Sequence, residues 1–291
     1  MFKCIDQKVL DVFDNDYNTN HNLKVKTINS SGGIFGASCD ISHEMESSIF
    51  LATPPPVDKG FMLSHLKLLS NGKVMLDASW KVNENLKCNF VAEDGRHEPG
   101  LMNLHSFGKM GLEYQNKSLH SSIDIDVVNG PLLFLSSVFS PKYFNNNIKI
   151  GGSMQLNSHL ENGDGPPSII DLAAGAVFKQ KDYQIGIRST NYLTNIRGTY
   201  LHNLNTSTML AAKVDMSLEE NSQQITIGAL HKYDQYTTIK TKIDSRSRMC
   251  WSISHWIGEK KEFKLTAAAT VDVGEGASNK QNVGIGISYN A

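Results

Sequence analysis

The sequence predicts an all-β membrane protein: a 19-stranded transmembrane β-barrel with a short N-terminal amphipathic helix in or near the lumen. Three observations carry this. From Asn22 to the C-terminus hydrophobic residues recur at every second position, the period of a strand with one apolar and one polar face. The runs are separated by turn residues at hairpin spacing, so the meander is unbroken, and the polar faces carry lysine and arginine in mid-strand. The longest uncharged apolar runs, such as Gly130 to Phe139, fall far short of the roughly 20 residues of a membrane-spanning helix. A barrel built of alternating strands looks nearly soluble on average, as this chain does at 40% hydrophobic and 20% charged residues. A water-soluble two-layer β protein, whose strands also have one apolar face, stays open at this level.

The first element is helical. Ile5, Val9 and Val12 fall at i, i+4 and i+7, Leu10 and Phe13 widen that face, and Asp6, Lys8, Asp11 and Asp14 lie elsewhere, which describes an amphipathic helix of about three turns. Residues 1–21 are read as this helix and its linker, and residues 22–291 as one barrel domain, because no composition shift marks a boundary. Strands are expected near 22–29, 34–42, 47–53, 61–69, 73–81, 86–92, 109–115, 119–128, 132–139, 148–156, 171–179, 183–190, 196–202, 208–217, 224–232, 237–244, 249–256, 263–272 and 282–289. Ser31-Gly32-Gly33, Pro54-Pro55-Pro56, Asn71-Gly72, Asn129-Gly130-Pro131 and the stretch 162–167 supply turns between them. Trp80, Trp251, Trp256 and Tyr289 near strand ends suit a membrane interface, with core packing as the alternative.

Charge and cysteine usage narrow the chemistry. The 291 residues hold 28 Lys+Arg against 29 Asp+Glu, a formal net charge of -1, so no basic field points to nucleic acid. Cys4, Cys39, Cys88 and Cys250 form neither CxxC nor a zinc spacing, and reduced thiols are expected. Charges at Lys3, Asp6, Lys8 and Asp11 interrupt the apolar stretch that a secretory signal needs, which suits an organelle importing its barrels from the cytosol. The ten histidines are scattered without HExxH, no catalytic triad is recoverable from spacing, and Gly284-Ile285-Gly286 lacks the third glycine of a dinucleotide loop. No catalytic residue, metal site, cofactor or enzyme activity is assigned.

If the apolar positions face lipid, the opposite positions place Lys24, Lys26, Lys81, Lys87, Lys149, Arg188, Arg197, Lys213, Lys240, Lys242 and Lys264 inward, against Asp77, Asp124, Asp126, Asp215 and Asp244. A charge on the lipid face would cost roughly 2–4 kcal/mol near the midplane, which fixes the choice of face. The wall is then net positive although the chain is not. Such a lumen concentrates anions without holding them. The helix is the second candidate: Asp6, Asp11 and Asp14 are expected to pair with wall lysines, and Ile5, Val9 and Val12 to pack on apolar patches, so that the helix narrows the pore and moves charge with voltage. A plain plug or a disordered tail is the alternative.

The last strand, Asn282-Val283-Gly284-Ile285-Gly286-Ile287-Ser288-Tyr289, fits the pattern of a sorting signal for mitochondrial outer-membrane barrels, with Asn282, Gly284, Ile287 and Tyr289 at its defined positions. Val9-Leu10-Asp11-Val12-Phe13-Asp14-Asn15-Asp16-Tyr17, the first strand at Asn22 to Ile28, and Gln224-Ile225-Thr226-Ile227-Gly228 through Thr237-Thr238-Ile239-Lys240 carry the same likeness. Over nearly its whole length the chain resembles the voltage-dependent anion channel, or mitochondrial porin, family, nearest its plant type. The resemblance implies a 19-stranded barrel whose first and last strands meet in parallel. It implies a voltage-dependent, weakly anion-selective channel of the mitochondrial outer membrane passing ATP, ADP, phosphate and ions. Membrane lipids and the outer-membrane sorting machinery are its implied partners, a homo-oligomer is left open, and no cofactor is implied. The family's Gly-Leu-Lys motif, linked to nucleotides, stands here as Asn85-Leu86-Lys87: the lysine persists and the glycine does not. The rival functions are a protein-import pore of the same barrel fold and a soluble β protein binding a lipid or partner.

Overall fold

The computed structural model describes residues 7–41, 45–56, 59–94, 106–128, 132–141, 147–157, 168–258, 261–272 and 281–290. One helix, α1 (Gln7–Asp14), precedes 19 strands: β1 (His21–Ile28), β2 (Ile34–Ile41), β3 (Met45–Ala52), β4 (Gly60–Leu69), β5 (Val74–Lys81), β6 (Leu86–Asp94), β7 (Phe107–Gln115), β8 (Leu119–Asp126), β9 (Leu132–Phe139), β10 (Ile148–Asn157), β11 (Ser168–Lys179), β12 (Tyr183–Thr190), β13 (Asn195–Asn203), β14 (Thr208–Ser217), β15 (Ser222–Lys232), β16 (Thr237–Asp244), β17 (Arg248–Ile257), β18 (Phe263–Asp272) and β19 (Gln281–Asn290). Each strand pairs antiparallel with the next, and β1 closes the ring by pairing parallel with β19, Asn22 opposite Gly286 through Lys26 opposite Asn290. Antiparallel neighbours alternate in direction, so an odd number of strands forces one parallel seam. Closure leaves no unpaired strand edge.

Residues directly opposite in a ladder share a face, which fixes the two surfaces of the sheet. One carries Ile187, Ile227, Ile253 and Ile285, each at least half exposed. The other carries Leu201, Ala211 and Leu230, against which α1 buries Val9, Val12 and Phe13 to 1% exposure or less. The helix therefore lies inside the ring and the apolar face looks outward. A soluble two-layer protein would bury that face under a second sheet; here a single closed sheet presents it to the surroundings, which removes that alternative.

Strands stand at all the expected places. The largest boundary difference is at β11, which begins at Ser168 rather than 171. The cause is a bulge: Gln155 faces Asp171 while Leu156 faces Ile169, so Ile170 is an extra residue and two adjacent isoleucines interrupt the alternation. A second bulge in β4 leaves Ser64 unpaired between Leu63 opposite Ala78 and His65 opposite Asp77. It moves the outward apolar set from Phe61 and Leu63 to Leu66 and Leu68 without breaking the strand. Within the described residues helix α1 spans Gln7–Asp14; the predicted helix positions Ile5 and Asp6 lie outside them.

Candidate functional site

Every basic residue assigned to the wall from sequence lies on the inner face. Lys24 and Lys26 stand opposite Ser288 and Asn290 across the seam. Lys81 faces Lys87, and Lys87 faces Glu113. Lys149 faces Val177, Arg188 faces Arg197, and Lys213 faces Thr226. Lys240 and Lys242 face Leu230 and Gly228, the positions beneath the helix, and Lys264 faces Ser288. The acids Asp77, Asp124, Asp126, Asp215 and Asp244 share this face. Sequence reading missed Lys67, Lys109, Lys179, Lys232 and Arg248, and the acids Asp40, Glu46, Glu93, Glu113, Asp171 and Asp272, which also point inward. Lys67 follows the bulge that changes parity, and several of the others sit in the last residues of their strands, where boundaries are least legible.

These charges are unevenly distributed around the wall. On β5–β8 the acids Asp77, Glu93, Glu113, Asp124 and Asp126 outnumber Lys81, Lys87 and Lys109. On β12–β19 and β1 the cations dominate, with Asp215, Asp244 and Asp272 as the inward acids. Some acids are locally paired: Glu93 with Lys73, Glu113 with Asn89 (3.0 Å) and His120 (2.6 Å), and Asp215 with Arg197 (2.5 Å) and Lys213 (3.3 Å). Lys109 lies 4.2 Å from the centroid of the Phe134 ring, an inward aromatic beside the acidic sector.

Helix α1 is fixed to the cationic side by two kinds of contact. Its apolar face packs on Leu201, Ala211, Leu230 and Met209, an apolar patch on an otherwise polar surface. Phe13 sits over Gly228, where an added Cβ would come within 2.9 Å of its Cε1. At the C-terminal end, where a helix leaves carbonyls unpaired and its dipole is negative, three wall lysines converge. Lys240 Nζ donates to the carbonyls of Asp11 (3.2 Å) and Asn15 (3.3 Å), and Lys242 Nζ donates to the carbonyl of Phe13 (2.5 Å). Lys264 Nζ donates to Asp16 Oδ1 (2.7 Å), while Asp16 Oδ2 stands 3.0 Å from Lys240 Nζ. Asp16 has φ 67°, the left-handed conformation that ends helices and turns the chain toward these lysines. Burial pushes its carboxyl pKa up, but the hydrogen bonds from Lys264 and Lys240 outweigh this and hold it below the ordinary value. Tyr17, next in sequence, stacks under Lys242 with the ammonium 4.2 Å from the ring centroid, and burial raises its phenol pKa.

The expected pairing of helix aspartates with wall lysines is corrected in its residues. Asp11 accepts hydrogen bonds within its own segment, from Gln7 Nε2 (2.8 Å) and Asn15 Nδ2 (3.1 Å), and Asp14 is exposed. Asp16, beyond the helix end and so outside the periodic pattern, makes the ion pairs. Among the interface aromatics, Trp80, Trp251 and Tyr289 face outward, but Trp256 stands opposite Lys264 on the inner face, 5.9 Å from its ammonium.

In the last strand Asn282 and Gly284 face inward and Ile287 and Tyr289 outward. Gly284 has a packing reason of its own: the linker from α1 crosses it, and a Cβ there would overlap the backbone of Thr19. The seam is also held by the backbone N–H of Ile285 donating to His21 Nδ1 at 3.3 Å. Between the linker and the wall lies a polar cavity of about 520 Å3, lined by Asp14, Tyr17, Lys213, Lys242, Asp244 and Arg248 among others.

Comparison with known proteins agrees with this architecture. The family described as eukaryotic porin matches residues 1–284. The mitochondrial outer membrane protein porin 1 of Oryza sativa subsp. japonica is 24% identical, covering 99% of this chain and 97% of its own length. Two porins of Solanum tuberosum, of 36 and 34 kDa, are 22% and 23% identical over 91% and 95% of the chain, and 90% and 94% of theirs. With nearly the whole chain matched and a closed ring of strands around an inner helix, the chain belongs to the eukaryotic porin family.

Proposed function

We propose that this protein is a voltage-responsive, weakly anion-selective channel of the mitochondrial outer membrane that passes ATP, ADP, phosphate and small ions. The compartment follows the names of the relatives, which are mitochondrial outer membrane porins. The observation that carries the selectivity is the inner wall: its described strand residues hold a surplus of cations, although the chain as a whole has a formal charge of -1. At physiological salt the Debye length is about 8 Å, so a permeating ion responds to the wall it passes and hardly to loops outside. The anion path follows the side formed by β12–β19 and β1, and the acidic sector on β5–β8 keeps the preference mild.

The helix couples this wall to voltage. Its attachment occupies Lys240, Lys242 and Lys264, so release uncovers three cations and carries Asp11, Asp14 and Asp16 away from them. Such a rearrangement moves charge and changes pore width together. Single-channel recording in planar bilayers tests the proposal: a salt gradient should give a reversal potential on the anion side, and conductance should fall at high voltage of either sign.

A protein-import pore is the second reading, favoured by one observation, the inward acidic sector of Asp77, Glu93, Glu113, Asp124 and Asp126. A basic presequence peptide at micromolar concentration would block that pore and leave a metabolite channel open.

A further inference from the structure

The outer face is asymmetric along the barrel axis. At the rim where β19 ends and β2 begins, the outward side chains are aromatic around much of the ring: Phe35, Phe61, Trp80, Tyr114, Phe139 and Phe178. Near the opposite rim aliphatic residues such as Ile41, Val74 and Val127 predominate. Aromatic girdles mark the level of lipid headgroups, where a ring is half in hydrocarbon and half in a polar layer. On β13, β15 and β17 the girdle positions are histidines instead: His202, His231 and His255, each one or two residues from its strand's end at that rim.

Register places the three at one depth. His202 faces Leu210, and Thr208, two residues nearer the rim, faces His231. His231 faces Ile239, and Thr237, again two residues nearer the rim, faces His255. Strands about 4.8 Å apart, rising about 3.4 Å per residue and tilted by about 35–45°, require a stagger of about two to three residues per two strands to stay level. The observed stagger of two meets this, and the same line runs from Tyr183, opposite His202, to Tyr289. Alternate strands lie about 9.6 Å apart, too far for the imidazoles to share a metal ion.

Each imidazole has its Nδ1 against a hydroxyl. Nδ1 of His202 is 2.9 Å from the Tyr200 hydroxyl, Nδ1 of His231 is 2.9 Å from Thr208 Oγ1, and Nδ1 of His255 is 2.9 Å from Thr237 Oγ1. For His202 and His231, with Nδ1 accepting from a hydroxyl, Nε2 carries the proton and is the edge that remains to donate. At His255 the single Thr237 hydroxyl proton goes to Asp234, so Nδ1–H donates to Thr237 Oγ1 and Nε2–H is offered only by the imidazolium, the form an anionic phosphate favours. The nearby acid Asp234 already accepts from the N–H groups of Tyr236 and Thr237 and the Thr237 hydroxyl, so it is committed to its own turn. Lys261, in the next turn, lies over the Tyr236 ring.

Resting on the membrane reading above, we propose that His202, His231 and His255 form a binding line for the phosphate groups of glycerophospholipids on the lipid side of this rim. Three imidazoles at headgroup depth, two offering Nε2–H when neutral and the third when protonated, and flanked by acyl-facing Leu210, Ala229 and Ile253, suit an amphiphile with an anionic oxygen at that level better than any soluble anion. The test is native mass spectrometry of the full-length protein in detergent with phosphatidylglycerol and with diacylglycerol of the same acyl chains. The wild type should retain phosphatidylglycerol, and the combined His202→Phe, His231→Phe and His255→Phe variant, which keeps the aromatic bulk, should lose about tenfold or more in retention. His→Gln at the three positions keeps an N–H donor and should restore most of it. If the triple Phe variant does not fold, each single variant should weaken retention by a fewfold. Equal retention of diacylglycerol, unchanged retention in the Phe variants, or displacement by millimolar inorganic phosphate would overturn the proposal. A phosphate-binding line in a barrel that does not conduct would leave it standing and sink the channel reading alone.

Discussion

Asp16 and Lys264 stand 248 residues apart in the chain and meet at 2.7 Å inside the barrel. Through this contact, and the one between Asp16 and Lys240, the segment that follows the helix is tied to the last third of the wall. Asp16→Asn should weaken helix attachment by about 1–2 kcal/mol, the scale of one lost charge-assisted hydrogen-bonded pair in a partly screened site. The measurement is the voltage at half-maximal closure, which should fall; an unmoved voltage would mean that the pair contributes nothing to gating.

The same carboxylate sets a pH window. Its pKa in the attached state lies below the ordinary carboxylate value of 3.8, so attachment gains stability above that value and loses it as pH falls through Asp16's own lower value. Helix attachment, followed by protease protection of the N-terminal segment, should therefore be flat from pH 8 to pH 5 and fall only below about pH 4. A loss centred near neutral pH would assign the control to a histidine.

Packing supplies the other half of the attachment. Phe13→Ala removes a fully buried ring from the patch of Leu201, Ala211 and Leu230 and should cost about 3 kcal/mol. Gly228→Val approaches the same contact from the wall side, because side-chain atoms there meet Phe13 and the Thr241 carbonyl. Both variants should insert normally yet show noisy open-state current; a quiet, wild-type trace from Phe13→Ala would contradict the docking described here.

How far the sequence discloses this arrangement depends on the range of the signal. Alternation is a two-residue signal, so the strands and the inward set from Lys24 to Lys264 are legible without a structure. The bulges at Ser64 and Ile170 are not, because each looks locally like one misplaced apolar residue until its partner strand is known. Asp16 escapes for a different reason: it follows the helix, and its partners Lys240 and Lys264 are brought near only by closure of the ring. The docking patch leaves a trace in the sequence, since Leu201 and Leu230 are apolar at positions whose parity demands a polar side chain.

The last strand joins two roles that mutation can separate. Ile287 and Tyr289 face outward, and changing both to Asp should abolish carbonate-resistant integration in an organelle import assay. Gly284 lies under Thr19, so Gly284→Ala should integrate but displace the linker and alter gating. Equal import defects in both variants would give Gly284 a place in the sorting signal beyond its packing role.

The central claim, that the wall rather than the whole chain sets selectivity, is tested most directly by the reversal potential of the open channel in a salt gradient. Lys24 and Lys26 suit the test because they face the lumen on β1, across the seam from β19, while the helix is held by Lys240, Lys242 and Lys264. The wild type should prefer anions mildly, Lys24→Gln with Lys26→Gln should move the reversal potential toward cations, and Lys261→Gln, in the turn between β17 and β18, should move it little. A wild-type channel that already prefers cations would mean that the acidic sector of β5–β8 governs permeation, contradicting the account.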